Sequence, residues 1–131
     1  MIQLENVSKT IKGNLKLIVS LNERVGETEL RDALRSVGLD PDDKRKYKKY
    51  SLGMKQRLGI AAAIMEKPRI LILDEPINAL DTEGIKLFDN ILKNEREKGT
   101  LVIFSCHDEH KLQEYADVIL NIENGKIIDI Q

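Results

Sequence analysis

The chain has 131 residues, enough for one domain with its own hydrophobic core. Its 41% hydrophobic and 33% charged residues are ordinary for a soluble globular protein, and a net charge of −1 argues against a partner recognised by bulk charge. The single cysteine, Cys106, excludes an internal disulfide framework and fits a reducing compartment. No signal-peptide pattern opens the chain, and no apolar run approaches the ~20 residues of a membrane helix.

Met1–Ile11 alternates loosely through Ile2, Leu4 and Val7, which predicts a strand turning at Lys12-Gly13-Asn14. Asn14–Leu21 fits a helix as well as a strand. In Glu27–Val37, Leu30, Ala33, Leu34 and Val37 recur at spacings of three and four; this predicts a helix with Thr28 as N-cap and Gly38 as its stop. Asp40-Pro41-Asp42-Asp43 marks a loop. The basic run Lys44–Lys49 around Tyr47 reads as a solvated face rather than a nucleic-acid patch. Ser51 is placed to cap a helix over Leu52–Glu66 that Pro68 ends.

A strand–helix alternation follows. Arg69–Leu73 is a short apolar run suited to a strand buried on both faces of a parallel sheet. Thr82–Lys98 is an amphipathic helix ending at Gly99, Thr100–Ser105 a second buried strand, and His110–Tyr115 a short helix. Val118–Ile122 and Lys126–Ile130 flank Asn124-Gly125, a pair suited to the positive φ angles of a type I′ hairpin turn.

Three places carry chemistry. Ile70 to Leu73 end abruptly in Asp74-Glu75, at the strand end where open α/β sheets bind ligands. Two adjacent carboxylates there suit one facing a magnesium ion and one facing a water; a strand running into a polar turn helped by Pro76 is the alternative. Leu101–Phe104 ends similarly in Ser105-Cys106-His107, where a histidine can bond a phosphate oxygen or a water, or lie idle on the surface. The crowded Cys106, His107, Asp108, Glu109 and His110 lack the spacing of a zinc site. Ser51-Leu52-Gly53-Met54 opens a helix whose free N–H groups and dipole form an anion site, with Gly53 permitting close approach; a plain cap explains the same residues, and Met54 reads most simply as core packing.

Taken in order, YSLGMKQR (Tyr50–Arg57), ILILDEPINALD (Ile70–Asp81), FSCHD (Phe104–Asp108) and the closing hairpin resemble the ATPase domains of ABC transporters. The resemblance implies an α/β fold: a mostly parallel P-loop NTPase-like sheet flanked by helices, with an N-terminal antiparallel strand, a small helical subdomain and a C-terminal β-hairpin. Residues 1–13 would be the first strand of the core, 14–66 the helical subdomain and signature helix, and 67–131 the remaining half of one interrupted domain. Asp74 would hold magnesium through water, Glu75 would act as general base, and His107 would be the switch histidine near the γ-phosphate. Ser51, Leu52, Gly53, Met54 and Lys55 would form the signature loop that reaches ATP on an opposite subunit. Asp81 would lie at the contact between two such domains. The implied cofactors are ATP and Mg2+. The implied partners are a second ATPase domain and a transmembrane permease, with no nucleic acid, and the implied location is peripheral on the cytoplasmic face of the plasma membrane. SLGMKQR departs from the common Leu-Ser-Gly-Gly-Gln signature as relatives in drug-resistance and bacteriocin exporters do, which favours export. Ile77 stands where the family commonly has threonine.

The phosphate loop that should precede these motifs is absent from the 131 residues. Such a loop needs Gly-x-x-x-x-Gly-Lys-Ser/Thr, and the sole Gly-Lys pair is Gly125-Lys126 in the hairpin, followed by Ile127. Neither an adenine-stacking aromatic nor a glutamine loop can be assigned. Met1–Gly13 nevertheless resembles the family's first strand, and Asn14–Leu39 its helical subdomain, joined near Gly13-Asn14. Three readings stay open: a block missing from the sequence as read, a genuine deletion, and a naturally degenerate partner that lends its signature loop to an intact subunit. The first is preferred. In this fold the phosphate-loop strand lies between the strand ending at His107 and a later one. Losing it would leave unpaired strand edges at roughly 1–3 kcal/mol per buried unmade bond, against a domain stability of ~5–15 kcal/mol.

Overall fold

The computed structural model describes residues 25–131. The predicted strand at Met1–Ile11, the Asn14–Leu21 segment and the junction at Gly13-Asn14 lie outside them.

Helix α1 (Glu27–Ser36) is capped two residues earlier than Thr28 suggested: Gly26 is the N-cap, and the Glu29 carboxylate reaches back to accept from its N–H at 3.2 Å. Thr28 therefore lies inside the first turn. At the other end Gly38 adopts φ +71°, its N–H bonds Arg35 O and the Leu39 N–H bonds Leu34 O, both at 2.9 Å, closing the helix in a Schellman arrangement. Asp40 and Asp43 turn the following loop by accepting from the Asp42 and Arg45 N–H groups. A single 3₁₀ turn (Tyr47–Lys49) leads to α2 (Leu52–Ile64), capped by Ser51 as predicted. This helix stops two residues short of Glu66, where Lys67 takes a positive φ of 51°.

Strand β1 (Ile70–Leu73) pairs in parallel with β2 (Leu101–Phe104), Ile70 opposite Leu101 and Leu73 opposite Phe104. Helix α3 (Thr82–Glu97) connects them, and Gly99 at φ +77° ends it. A short helix α4 (Glu109–Tyr115) follows β2. The closing hairpin pairs β3 (Leu120–Glu123) with β4 (Lys126–Ile130), two residues later at its start than the predicted Val118. Asn124 (φ +49°) and Gly125 (φ +73°) both take the positive angles expected of them.

The core lies between the helices and one face of the parallel pair. Leu30, Leu34, Leu58, Leu71 and Phe88 are each at most 2% exposed. Phe88 and Phe104 both pack against Tyr115 in T-shaped, edge-to-face arrangements. Burial of β1 and β2 on both faces is not what the described residues show. Leu71 and Leu73 point inward, whereas Ile70, Ile72, Leu101 and Ile103 form an apolar outer face, 48–71% exposed. The apolar content of that face produced the two-sided expectation, but no described element packs over it. The hairpin forms a separate sheet, and among the described residues no hydrogen-bonded strand lies between it and β2.

Candidate active site

The carboxyl ends of β1 and β2 bring Asp74, Glu75, Ser105 and His107 together because the strands are parallel and in register to their last residues. The ladder continues one step further through Ser105 N–H to Leu73 O at 3.0 Å. Ser105 then bridges the two carboxylate residues. Its hydroxyl donates to Asp74 Oδ1 at 2.6 Å and accepts from the Glu75 N–H at 2.9 Å. His107 Nε2 lies 2.9 Å from Glu75 Oε1, with the histidine 93% and the glutamate 21% exposed. A mostly sheltered carboxylate thus faces an imidazole standing in open solvent.

Beyond Glu75 the chain turns tightly. Asn78 N–H bonds Glu75 O at 3.1 Å and Leu80 N–H bonds Ile77 O at 3.2 Å, with Glu75 and Ala79 both at positive φ (46° and 62°). Asp81 ends this loop as the N-cap of α3, accepting from the Gly84 N–H at 2.8 Å. That bond first, and the Arg57 guanidinium second, hold the Asp81 carboxyl below its usual range.

The start of α2 lies against the same loop. Ser51 Oγ accepts from the Met54 N–H at 3.2 Å, so the plain-cap reading of Ser51 describes its hydroxyl. The helix's open first turn still presents N–H groups at Leu52 and Gly53. Leu52 is 71% exposed. Met54 is half-buried against the core, and Lys55 lies over the Tyr47 ring at 5.2 Å. Gly53 does permit a close approach, but the neighbour is protein: a Cβ there would sit 2.8 Å from the Ala79 carbonyl oxygen.

Two contacts tying this helix to the loop were not predicted. Gln56 Nε2 donates to Glu75 O at 3.1 Å, and Arg57 Nη2 to Asp81 Oδ1 at 2.5 Å. The available signal was spacing, since residues three and four beyond Gly53 share its helix face. Ser105 was visible only as a strand end. Of the predicted site residues, Asp74, Glu75 and His107 form one cluster, and Ser51–Lys55 and Asp81 lie on the adjoining elements. Among the described residues no group of three or more His, Cys, Asp or Glu side chains converges as a metal cage. Asp74, exposed and with one oxygen engaged by Ser105, offers the sparse hard-oxygen ligation that suits a largely hydrated Mg2+.

The family model described as ABC transporter matches residues 3–78. The chain is 38% identical over 114 residues to an uncharacterised ABC transporter ATP-binding protein of Bacillus subtilis, covering 87% of this chain and 52% of the relative. It is 43% identical to a bacitracin transport ATP-binding protein of Enterococcus faecalis (88% and 38% covered) and 41% identical to a lantibiotic transport ATP-binding protein of Streptococcus pyogenes (88% and 50%). The chain thus spans about half the length, or less, of these relatives. Its fold matches a dimeric ATP-binding cassette in a post-hydrolysis state bound to ADP and Pi, at a TM-score of 0.84 and 23% identity, covering all of this chain and 60% of that one. With a family match over more than half of its residues, and an α/β architecture shared with such cassettes, the chain belongs to the ABC-transporter family of ATP-binding proteins.

Proposed function

We propose that this chain supplies the hydrolytic half-site and the signature helix of an ATP-hydrolysing transport subunit. The observation that carries it is the convergence of Asp74, Glu75 and His107 at the ends of two registered parallel strands. Asp74 would orient a hydrated Mg2+, which when bound offsets the charge of the phosphates. Glu75, sheltered and facing His107, would accept a proton from the attacking water, and His107 would bond the transferring phosphoryl oxygen. The first turn of α2, from Ser51 to Lys55, would meet nucleotide held by a second ATPase domain, with Asp81 near that contact. The phosphate loop is expected from polypeptide beyond these 131 residues, and the exposed apolar face of β1 and β2 is surface for such polypeptide to cover. Docking on a permease at the inner membrane face, with export of a peptide-like substrate, is the reading that the signature variant and the relatives' names, bacitracin transport and lantibiotic transport, support. No helix among the described residues is long and apolar enough to cross a membrane.

A second reading is favoured by one observation, the lack of a Gly-x-x-x-x-Gly-Lys-Ser/Thr motif in the chain. There the chain is a non-hydrolytic partner that lends Ser51 and Gly53 to an intact subunit. Mg-ATP hydrolysis by the full-length protein, alone and with its partner subunit, separates the two readings. The first expects Glu75→Gln to stop turnover. The second expects Glu75→Gln to be silent and Ser51→Arg to abolish the partner's turnover. Silence of both variants would reject both readings.

A further inference from the structure

We propose that Gln56 and Ser105 are positioning residues that hold Glu75 in a backbone conformation it would not otherwise adopt, and so aim its carboxylate. Glu75 has φ +46°. That region is unfavourable for a residue with a Cβ, and the following Pro76 restricts Glu75 further, toward extended conformations. Something must over-determine the conformation, and the contacts around the peptide units of Glu75 supply it. Ser105 accepts from the N–H at 2.9 Å, from the end of β2. Gln56 donates to the carbonyl at 3.1 Å, from the second turn of α2. The Asn78 N–H shares that carbonyl, and fully buried Pro76 fixes the peptide that follows. With the backbone gripped from two other elements, the Glu75 side chain reaches His107 at 2.9 Å.

The two grips differ in what they couple. Ser105 also donates to Asp74 Oδ1 at 2.6 Å, so one hydroxyl sets both carboxylate residues relative to the strand pair. Gln56 lies on the α2 face that also carries Gly53, against Ala79, and Arg57, against Asp81. A shift of α2 along this loop would therefore be felt at the Glu75 carbonyl. The two grips link the helix whose first turn is assigned to nucleotide on an opposite subunit to the residue assigned as base in this one. The catalytic consequence rests on the reading of Glu75 as general base; the backbone grip does not.

The test compares the full-length protein with Gln56→Leu, Gln56→Glu, Ser105→Ala and Ser105→Thr. Gln56→Glu keeps shape and loses the donor, and Ser105→Thr keeps the hydroxyl. Amide hydrogen exchange reads the grip directly. Exchange at Glu75 and Asn78 is expected to quicken roughly tenfold in Gln56→Leu, Gln56→Glu and Ser105→Ala but not in Ser105→Thr. The Ile103 amide, inside the parallel ladder, should not change and serves as the control for folding. For Mg-ATP hydrolysis, the three disruptive variants should lose about 10- to 100-fold in kcat with KM for ATP nearly unchanged, and Ser105→Thr should restore the rate. Unchanged exchange at Glu75 and Asn78 overturns the proposal whatever the kinetics. Faster exchange with unchanged kcat, or with a matching rise in KM, overturns the positioning role. If the unmodified protein does not turn over ATP, the hydrolytic reading fails by itself, and the exchange result alone decides the grip.

Discussion

Two glycines on one helix should respond to the same substitution with opposite signs. Gly53 and Gly59 both belong to α2. A Cβ on Gly59 meets nothing within 4 Å, so Gly59→Ala changes only helix propensity and unfolded-chain entropy. It should stabilise by about 0.5–1 kcal/mol. A Cβ on Gly53 would sit 2.8 Å from Ala79 O, a backbone atom in a loop already holding positive φ at Glu75 and Ala79. Ordinary contact begins near 3.4 Å, so loop or helix must give by about half an ångström. Overpacking of this kind costs about 1–3 kcal/mol, offset only partly by propensity. We expect a net loss of about 1–2 kcal/mol, or a Tm lower by roughly 4–10 °C for a domain of this size. Urea unfolding of the two variants beside the unmodified protein measures both signs in one experiment. A Gly53→Ala variant as stable as Gly59→Ala would show that helix and loop do not touch as described, and would undercut every contact inferred between them.

Other outcomes follow from the same structure. Arg57→Ala should lower the Tm, and its effect should not add to that of Asp81→Asn in a double-mutant cycle, because each removes the same ion pair; strict additivity would dismiss that pair. Arg45 chiefly, with help from the Tyr50 hydroxyl, holds the Asp43 carboxyl down at about 2, against an ordinary 3.8. A carboxyl depressed on folding contributes stability that is present above pH 3.8 and lost as pH falls toward 2. After allowance for solvent around the exposed Arg45, Asp43→Asn should remove about 1 kcal/mol of that pH dependence in acid titrations monitored by circular dichroism. Phe88, 1% exposed and edge-on to Tyr115, should cost about 3–5 kcal/mol on truncation to alanine, measured as a shift in urea midpoint.

The parts of this fold that were legible in the sequence are those decided within a few residues. Asn124-Gly125 announced a turn whose two positive φ angles the backbone adopts, and Ser51, Gly38 and Gly99 marked helix ends through capping chemistry alone. Asp74, Glu75 and His107 could be grouped because an abrupt change from apolar to polar at a strand end is a local signal, and parallel pairing brings two such ends together. Thr28 misled because the cap fell to Gly26, which has no side chain to announce it; the one side-chain bond there is Glu29 accepting from the Gly26 N–H. Long-range contacts left no comparable trace. Nothing local says that Gln56 meets a carbonyl 19 residues away, or that Ser105 joins Asp74 across 31. The two-sided burial read from Ile70–Leu73 and Leu101–Phe104 reports the composition of the strands correctly. The covering layer it implies is not supplied by the described residues.

We propose Glu75 as the base of a nucleotide-hydrolysing site. Single-turnover hydrolysis of Mg-ATP by the full-length protein, with the unmodified protein compared against Glu75→Gln, tests it most directly. The substitution keeps the shape and the backbone contacts of Glu75 while removing the proton acceptor. Hydrolysis should slow by about 10²–10⁴-fold with ATP still bound, whereas an unchanged rate in the variant would contradict the assignment.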